Sequence, residues 1–255
     1  MLISLNRAQL KYLVIIEHIM SKEVTIFITS CGRPKLLRRT IESFVKYNTY
    51  PIKEVILCED SGVKGIVDFA KDIFPYPVIF CYNDFRSGQM KTIERYTPLI
   101  KTPYVFHLED DYEFFDYGFI ELSFKIMDSD KNIAQVLLEE SQYYYDKVDI
   151  NNPLCYKIVG RSGDMSCFSW RPSLKKIEIQ KLRMPYELWD DEFTVQLRMN
   201  KLGYYSVIST ERLYKEGTKG FCINIGNNDH VEYSGSRIPT RKDFPDKQNL
   251  TIDDV

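Results

Sequence analysis

Several features that would mark an extracellular, membrane-embedded or nucleic-acid-binding protein are missing from this sequence of 255 residues. The six cysteines lie far apart without any C-x-x-C pair, so neither a zinc site nor a disulfide framework is indicated. The longest apolar run near the N-terminus, 12–16, is too short for a signal sequence or a membrane span. Lysine and arginine (34) nearly balance aspartate and glutamate (36), so no broad positive field exists to hold a nucleic acid. We therefore expect a soluble, cytoplasmic protein with reduced thiols, no membrane span and no nucleic-acid partner.

Two glycine-rich signatures of phosphate binding are missing as well. The chain has no G-x-G-x-x-G motif, which disfavours a dinucleotide-dependent dehydrogenase. The turn after the first predicted strand, Ser30–Pro34, contains a single glycine, whereas a sugar nucleotidyltransferase is expected to carry a glycine-rich loop at that point. The nucleotidyltransferase therefore remains only an alternative.

The residues that are present alternate between short apolar runs, polar turns and segments of helical period. Hydrophobic residues make up 44% of the chain, enough for one large domain with a full core. The alternation predicts an α/β fold with a mostly parallel, Rossmann-like sheet flanked by helices in a single domain. Strands are predicted over 24–29, 54–58, 77–81, 104–108, 133–138, 155–159 and 204–208, and helices over 35–47, 64–72, 87–100, 117–128 and 190–202.

The two ends of the chain differ in composition from the regular part. We predict an N-terminal extension over 1–21, a domain over 22–233 and a polar C-terminal tail over 234–255. No internal repeat or low-complexity tract interrupts the domain.

Three adjacent carboxylates, Glu109-Asp110-Asp111, follow the fourth predicted strand directly. Open α/β sheets bind ligands outside the carboxyl ends of their strands, so a site is expected here. Strand alternation places Glu109 and Asp111 on one side, where they can offer oxygens to Mg²⁺ or Mn²⁺ while a substrate diphosphate completes the coordination. A solvated acidic turn is the alternative. His107, in the apolar strand before the cluster, is predicted to be a hydrogen-bonded core residue.

Polar turns also follow the first two strands, at Thr29–Pro34 and Glu59–Gly62. Together with the acidic cluster they line one crevice. With Asn83 and the Arg86–Gln89 turn after the third strand, the order of these motifs resembles the GT-A glycosyltransferases, particularly the inverting family 2 type, over nearly all of 22–232.

The resemblance implies where a nucleotide diphosphate sugar would lie. Thr29 and Arg33 would contact the nucleotide, Asp60 would accept a hydrogen bond from the base, and the segment from Arg86 to Lys91 would approach the ribose or diphosphate. For Asp60, a turn-forming role before Gly62 is the alternative. The predicted donor contacts are Thr29, Ser30, Arg33, Glu59, Asp60, Asn83, Arg86, Gly88, Lys91, Glu109 and Asp110.

The resemblance also implies a bound Mn²⁺ or Mg²⁺. Asp111 would be the main metal ligand, with Glu109 on the metal or the ribose; the family usually has aspartate at that first position. His230 lies in a segment that resembles the one delivering a histidine to the metal, and a surface-loop histidine is the alternative. Imidazole suits Mn²⁺ better than Mg²⁺.

The segment from Trp189 to Phe193, followed by Arg198 and Gly203-Tyr204, resembles the family's helix that supplies the catalytic base. A helix N-terminus stabilises ionised carboxylates, as a base acting on a sugar hydroxyl requires. The predicted base is Glu192, then Asp191, then Asp190, and helix capping is the alternative for each.

Aromatic residues are the predicted contacts to the sugar or acceptor, because ring faces suit the C–H patches of a pyranose. Trp170 and Trp189 are the candidates, and packing in the core is the alternative. Taken together, these motifs predict a metal-dependent inverting glycosyltransferase that uses a UDP-sugar and a glycan or glycoprotein acceptor. A catalytically silent sugar- or nucleotide-sugar-binding protein of the same fold is the alternative from another class.

Overall fold

The computed structural model of the chain describes most of the predicted domain. The described residues are 22–139, 145–160, 165–182, 192–210 and 220–226. The predicted extension and tail lie outside them, and so do four of the predicted site residues: Trp189, Asp190, Asp191 and His230.

The described residues form one large mixed sheet and a small two-stranded sheet. The large sheet has nine strands in the order β3-β2-β1-β4-β9-β6-β10-β8-β7, and β11 pairs with β5 in the small one. The strands are β1 (Val24–Ser30), β2 (Glu54–Glu59), β3 (Val78–Tyr82), β4 (Tyr104–Glu109), β5 (Tyr112–Phe114), β6 (Ile133–Leu137), β7 (Tyr145–Val148), β8 (Cys155–Gly160), β9 (Ser173–Lys176), β10 (Tyr205–Ser209) and β11 (Cys222–Asn224).

The predicted α/β sheet is confirmed, and the strand directions divide it into two halves. Strands β3, β2, β1 and β4 run parallel to one another. On the other side of β4, β9 runs antiparallel to both β4 and β6, and β7 and β8 extend the sheet in antiparallel pairs. Only β6 and β10 are parallel among the described strands of that second half.

Helices cover both faces of the sheet. Pro34 begins the first helix, as expected at a position whose N–H has no intrahelical partner. Its residues Leu37, Ile41 and Phe44 recur at helical spacing and are fully buried, which anchors the helix to the sheet. The helices are α1 (Pro34–Tyr47), α2 (Ala70–Ile73), α3 (Gln89–Tyr96), α4 (Phe119–Ser129), α5 (Ile177–Gln180) and α6 (Glu192–Lys201), with a 3₁₀ turn at Thr97–Leu99.

Strand alternation separates the core into two layers. Ile26 and Ile28 of β1 face one layer, and Phe27 between them faces the other. In the first layer Phe44 lies 5.4 Å, centroid to centroid, from both Phe106 and Phe114. No helix among the described residues is long and apolar enough to cross a bilayer.

Candidate active site

The register of the parallel strands brings the polar turns to one edge of the sheet. Thr29 of β1 pairs with Glu109 of β4, and Ser30 pairs with Glu59 of β2. The turns after these strands therefore begin at the same level and face a common crevice. The predicted convergence of the three turns is what the structure shows.

Arg33 joins the turn after β1 to the acidic cluster after β4. Its guanidinium donates to Asp110 through Nε at 3.2 Å and through Nη2, and to Asp111 Oδ2 through Nη1 at 2.9 Å. Asp110 Oδ2 also accepts from the Ser30 hydroxyl at 3.1 Å and from the Cys31 N–H at 3.2 Å. Asp110 thus holds the first turn in place and is only 1% exposed.

Glu59 holds the turns after β1 and β2 in place in the same way. Its Oε1 accepts from the backbone N–H groups of Gly32 at 2.9 Å and Ser61 at 2.8 Å. Burial raises the pKa of this carboxyl, which is fully enclosed. Glu59 and Asp110 both lie beneath the turns that they support, and their predicted contact with the nucleotide stays a prediction.

Asp60 holds the loop between β3 and α3. Its carboxylate accepts from the Asn83 amide at 2.6 Å and from the backbone N–H groups of Ser87 and Gly88 at 2.8 and 2.7 Å. Burial raises its pKa, and these hydrogen bonds oppose that rise. These three donors leave one acceptor position of the carboxylate for a further hydrogen bond, and the side chain is 4% exposed.

Asn83 is a second support of this loop and does not face the crevice. Its amide donates to Asp60 and to the Thr92 hydroxyl, and its carbonyl oxygen accepts from Arg95 at 2.5 Å and from Tyr96 at 3.0 Å. The side chain is 1% exposed, and the predicted contact between Asn83 and the nucleotide stays a prediction. In the sequence, Asn83 is a polar residue that follows a strand. This pattern does not show whether the side chain supports a loop or contacts a ligand.

A cavity of about 590 Å³ lies beside this loop. It is lined by Phe85, Ser87, Lys91, Glu94 and Arg95. Lys91, a predicted donor contact, is paired with Glu94 at 2.8 Å. Arg86 and Gly88, in the same loop, are buried.

Glu109 and Asp111 are close enough for their carboxylates to repel each other. Burial and repulsion from Asp111 raise the pKa of Glu109 to about 8, and the Gln89 amide, which donates to Glu109 Oε1 at 2.9 Å, opposes that rise. Burial and repulsion from Asp110 raise the pKa of Asp111, and Arg33 opposes it. The two carboxyls repel each other when both are ionised, and a divalent cation bound between them would remove that repulsion. Carboxylate oxygens are also the ligands that Mg²⁺ and Mn²⁺ prefer. No group of three metal-ligating side chains exists within the described residues alone.

The segment carrying β11 packs on Asp111. The Ile225 N–H donates to the Asp111 backbone oxygen at 2.8 Å. A Cβ at Gly226 would lie 2.3 Å from Asp111 Oδ2, so only glycine fits against this carboxylate. Sequence analysis passed over Gly226, whose importance depends on a long-range contact.

Glu192, the first residue of α6, is exposed and anchored by its Oε1. That oxygen accepts from the Trp170 backbone N–H at 2.7 Å and from the Ser169 hydroxyl at 3.0 Å. Glu192 also contributes to the electrostatic field at Glu109. The role of Glu192 as the base stays a prediction.

Trp170, a predicted sugar contact, packs in the core, which was the alternative given for it. Its ring is 2% exposed and packs edge-on against Phe168, with centroids 4.7 Å apart. The centroid of His107 is 5.3 Å away, and the indole N–H donates to Met90 Sδ at 3.1 Å. His107 is buried as predicted, but neither of its ring nitrogens has a hydrogen-bond partner among the residues that the structure describes. The prediction of a hydrogen-bonded core histidine is wrong.

More than half of the chain matches the model of one protein family. A family model described as glycosyl transferase family 2 matches residues 25–171, from β1 to the segment that holds Glu192. The chain belongs to glycosyl transferase family 2. No curated protein gives a significant match.

Solved structures show that this family 2 chain has the GT-A fold. The mannosyltransferase PcManGT from Pyrobaculum calidifontis, in complex with GDP-Man and Mn²⁺, is similar with a TM-score of 0.54 and 14% identity over 82% of this chain and 66% of that one. S. aureus TarS in complex with UDP-GlcNAc is similar with a TM-score of 0.53 and 11% identity over 76% of this chain and 60% of that one. This family 2 chain thus spans less than two thirds of either protein.

A structure from the alternative enzyme class shares the fold more loosely. A CMP:2-keto-3-deoxy-manno-octonic acid synthetase complexed with CTP has a TM-score of 0.50 and 14% identity, over 80% of this chain and 93% of that one. At such identities the likeness concerns the fold, and membership in family 2 rests on the sequence match.

Proposed function

We propose that the protein is a metal-dependent inverting glycosyltransferase that moves a sugar from a nucleotide diphosphate sugar, UDP-linked, to the hydroxyl of a glycan or glycoprotein acceptor. One observation carries the proposal: the turns after β1, β2 and β4 meet at one sheet edge, where Arg33 ties the first turn to Asp110 and Asp111. Family membership and neighbours that bind GDP-Man or UDP-GlcNAc support the donor class.

The donor nucleotide lies over the turns after β1 and β3 in this proposal. Thr29 and Arg33 contact it from the first turn, and Arg86, Gly88 and Lys91 approach from the loop that Asp60 holds. Arg33 is held by two carboxylates, so its planar fork is already oriented for a diphosphate. Asp60 accepts a hydrogen bond from the base in this proposal, at the acceptor position that the loop's own donors leave open.

Asp111 and Glu109 hold the divalent cation in the proposed site. When bound, Mn²⁺ or Mg²⁺ neutralises the charge of the leaving diphosphate. His230 is the third ligand, and support comes from Gly226, which lies four residues earlier against the Asp111 carboxylate. Four residues span at most about 14 Å, which keeps His230 within reach of Asp111.

Glu192 is the proposed base, with Asp191 and then Asp190 as the next candidates. Its position is fixed by the hydrogen bonds from Trp170 and Ser169 to Oε1. In a single displacement, the acceptor oxygen forms a bond to the anomeric carbon while the bond from that carbon to the diphosphate breaks. The hydroxyl proton goes to Glu192, the nucleoside diphosphate leaves, and the anomeric configuration inverts.

The experiment that tests this function is a panel of donors, each incubated with Mn²⁺ and candidate sugar acceptors, with mass spectrometry of the products. We expect a UDP-sugar to be consumed, with release of UDP and a product heavier by one sugar residue. Formation of a nucleotide sugar from a nucleoside triphosphate would instead show a nucleotidyltransferase, the alternative favoured only by the looser fold likeness. Binding of donors without any consumption would show a catalytically silent protein.

A further inference from the structure

We propose that Arg33 and the divalent cation compete for one carboxylate oxygen of Asp111, so that binding of the cation passes one arm of the Arg33 guanidinium to the donor diphosphate. The inference rests on the proposed function, because it deepens the roles given there to Arg33 and Asp111. It begins from the hydrogen bond that joins these two side chains.

The guanidinium of Arg33 makes unequal contacts with two neighbouring carboxylates. Two of its nitrogens, Nε and Nη2, donate to Asp110, and Nε lies 3.2 Å from Asp110 Oδ2. The third nitrogen, Nη1, donates to Asp111 Oδ2 at 2.9 Å. A contact through two N–H groups orients a guanidinium better than a single hydrogen bond does. Arg33 can therefore give up Asp111 and keep its anchor on Asp110.

One oxygen of Asp111 is the point of competition. Its Oδ2 accepts from Arg33 Nη1, and Gly226 lies so close to the same oxygen that a Cβ there would be 2.3 Å away. The segment with Gly226 is held by the hydrogen bond from the Ile225 N–H to the Asp111 backbone oxygen, whereas the long side chain of Arg33 can change rotamer. The Arg33 side chain is also 14% exposed, against 6% for Asp111. Of the two neighbours of Oδ2, the guanidinium is therefore the one that a cation can replace.

Competition at Asp111 makes the binding of cation and nucleotide cooperative. Two positive groups on one carboxylate oxygen repel each other, so Arg33 Nη1 leaves when Mg²⁺ or Mn²⁺ binds there. The released N–H groups need a new acceptor, and a guanidinium suits the oxygens of a diphosphate. A fixed support would act with the opposite sign, since its removal would loosen the acidic cluster and weaken cation binding. The effect of removing Arg33 on cation affinity therefore decides between the two roles.

The variant Arg33→Met tests the inference directly, because methionine keeps an unbranched stem and removes the guanidinium. Mn²⁺ is titrated into the protein without nucleotide, and free Mn²⁺ is measured by electron paramagnetic resonance. We expect Arg33→Met to bind Mn²⁺ at least about tenfold more tightly than the wild type. Arg39→Met is the matched control, since Arg39 pairs with Glu113 at the surface at 3.1 Å, and it should bind Mn²⁺ like the wild type. Equal or weaker binding by Arg33→Met would overturn the inference.

A measurement on the wild type covers the case in which Arg33→Met does not fold, and it separates exchange at Asp111 from charge repulsion alone. Diamagnetic Mg²⁺ is added to ¹⁵N-labelled protein, and the guanidinium signals of arginine are followed by NMR. We expect the Arg33 Nη signals to shift at the Mg²⁺ concentration that shifts the Asp111 backbone amide, while the Arg39 signals stay in place. Arg33 Nη signals that do not move would overturn the inference.

The same titrations distinguish failure of this inference from failure of the proposed function. If the wild type and both variants did not bind Mn²⁺ even with UDP present, the proposed cation would be contradicted, and this inference with it. Binding of Mn²⁺ with the same affinity by the wild type and Arg33→Met would overturn only the role of Arg33.

Discussion

The two sides of β4 differ in how buried charged side chains are compensated. In the first half, formed by β1, β2 and β3, Glu59 Oε1 and Asp60 accept hydrogen bonds from the turns around them, and Glu59 Oε2 has no partner among the described residues. In the second half, beyond β4, Lys175 Nζ has no hydrogen-bond partner among the described residues. A carboxylate that accepts from backbone N–H groups fixes a turn, whereas a buried charge without a partner destabilises the fold. The carboxylates of the first half therefore support its turns, and the lysine of the second half lowers the stability of the sheet.

We expect the largest effect from Asp60→Ala, because this variant removes the carboxylate that supports the loop between β3 and α3. Three buried donors, from Asn83, Ser87 and Gly88, lose their acceptor. We expect a loss of about 3 kcal/mol in the free energy of unfolding, measured with urea, together with loss of nucleotide binding. Asp84→Ala in the same loop is the control, since Asp84 pairs only with Lys64 at the surface; it should cost less than about 0.5 kcal/mol. Equal costs for the two variants would show that Asp60 is not a support.

The contact between Gly226 and Asp111 gives the next largest effect. Gly226→Ala places a methyl group 2.3 Å from the Asp111 carboxylate, which forces the segment away. We expect a loss of about 2 kcal/mol in unfolding free energy. Gly160→Ala is the matched control, because its new Cβ would meet nothing closer than Cys167 Sγ at 3.9 Å. If both glycine variants unfolded at the same urea concentration, the segment would not be docked on Asp111.

The buried side chain of Lys175 is expected to make the free energy of unfolding depend on pH. Its pKa is about 7 in the folded protein and near 10.5 when exposed, so the unfolded chain binds more protons between these values. Unfolding free energy of the wild type should therefore rise with pH over that window, relative to Lys175→Met. We expect the variant to be the more stable protein at pH 6, and we expect this advantage to fall steadily towards pH 10. Urea unfolding at pH 6, 8 and 10 measures this; a constant difference would contradict it.

Cys31 gives the prediction with the smallest consequence for folding. Burial and the charge of Glu59 raise the pKa of its thiol to about 12. Only the thiolate reacts with iodoacetamide, so labelling of Cys31 at pH 8 should be about a thousandfold slower than that of N-acetylcysteine. Mass spectrometry of the labelled peptide follows the rate. Labelling as fast as the free thiol would show that the first half of the edge carries less negative charge than its carboxylates suggest.

The sequence was most informative where a buried strand runs straight into a polar turn. Strands β1 to β4 are apolar runs bounded by turn residues, and parallel pairing makes the convergence of their ends a consequence of topology. It was least informative for β9, whose Ser173 and Lys175 do not look like strand residues. They become a strand because β4 and β6 supply pairing on both sides.

Sequence alone also could not separate residues that face the crevice from those beneath it. Asn83, Glu59 and Asp110 have the residue types of a ligand site, yet their side chains point into the turns. The residue type of Trp170 suits stacking on a sugar ring, but its contacts with Phe168 and Lys175 show that it packs in the core. These distinctions depend on side-chain direction and long-range packing.

The assignment of the cation to Asp111 and of the base to Glu192 is tested most directly by calorimetric titration of UDP, with and without Mn²⁺, into three proteins: wild type, Asp111→Asn and Glu192→Gln. The account predicts that Mn²⁺ strengthens UDP binding by at least about tenfold in the wild type and in Glu192→Gln, and that Asp111→Asn loses this effect. Unchanged dependence on Mn²⁺ in Asp111→Asn, or its loss in Glu192→Gln, would contradict the account.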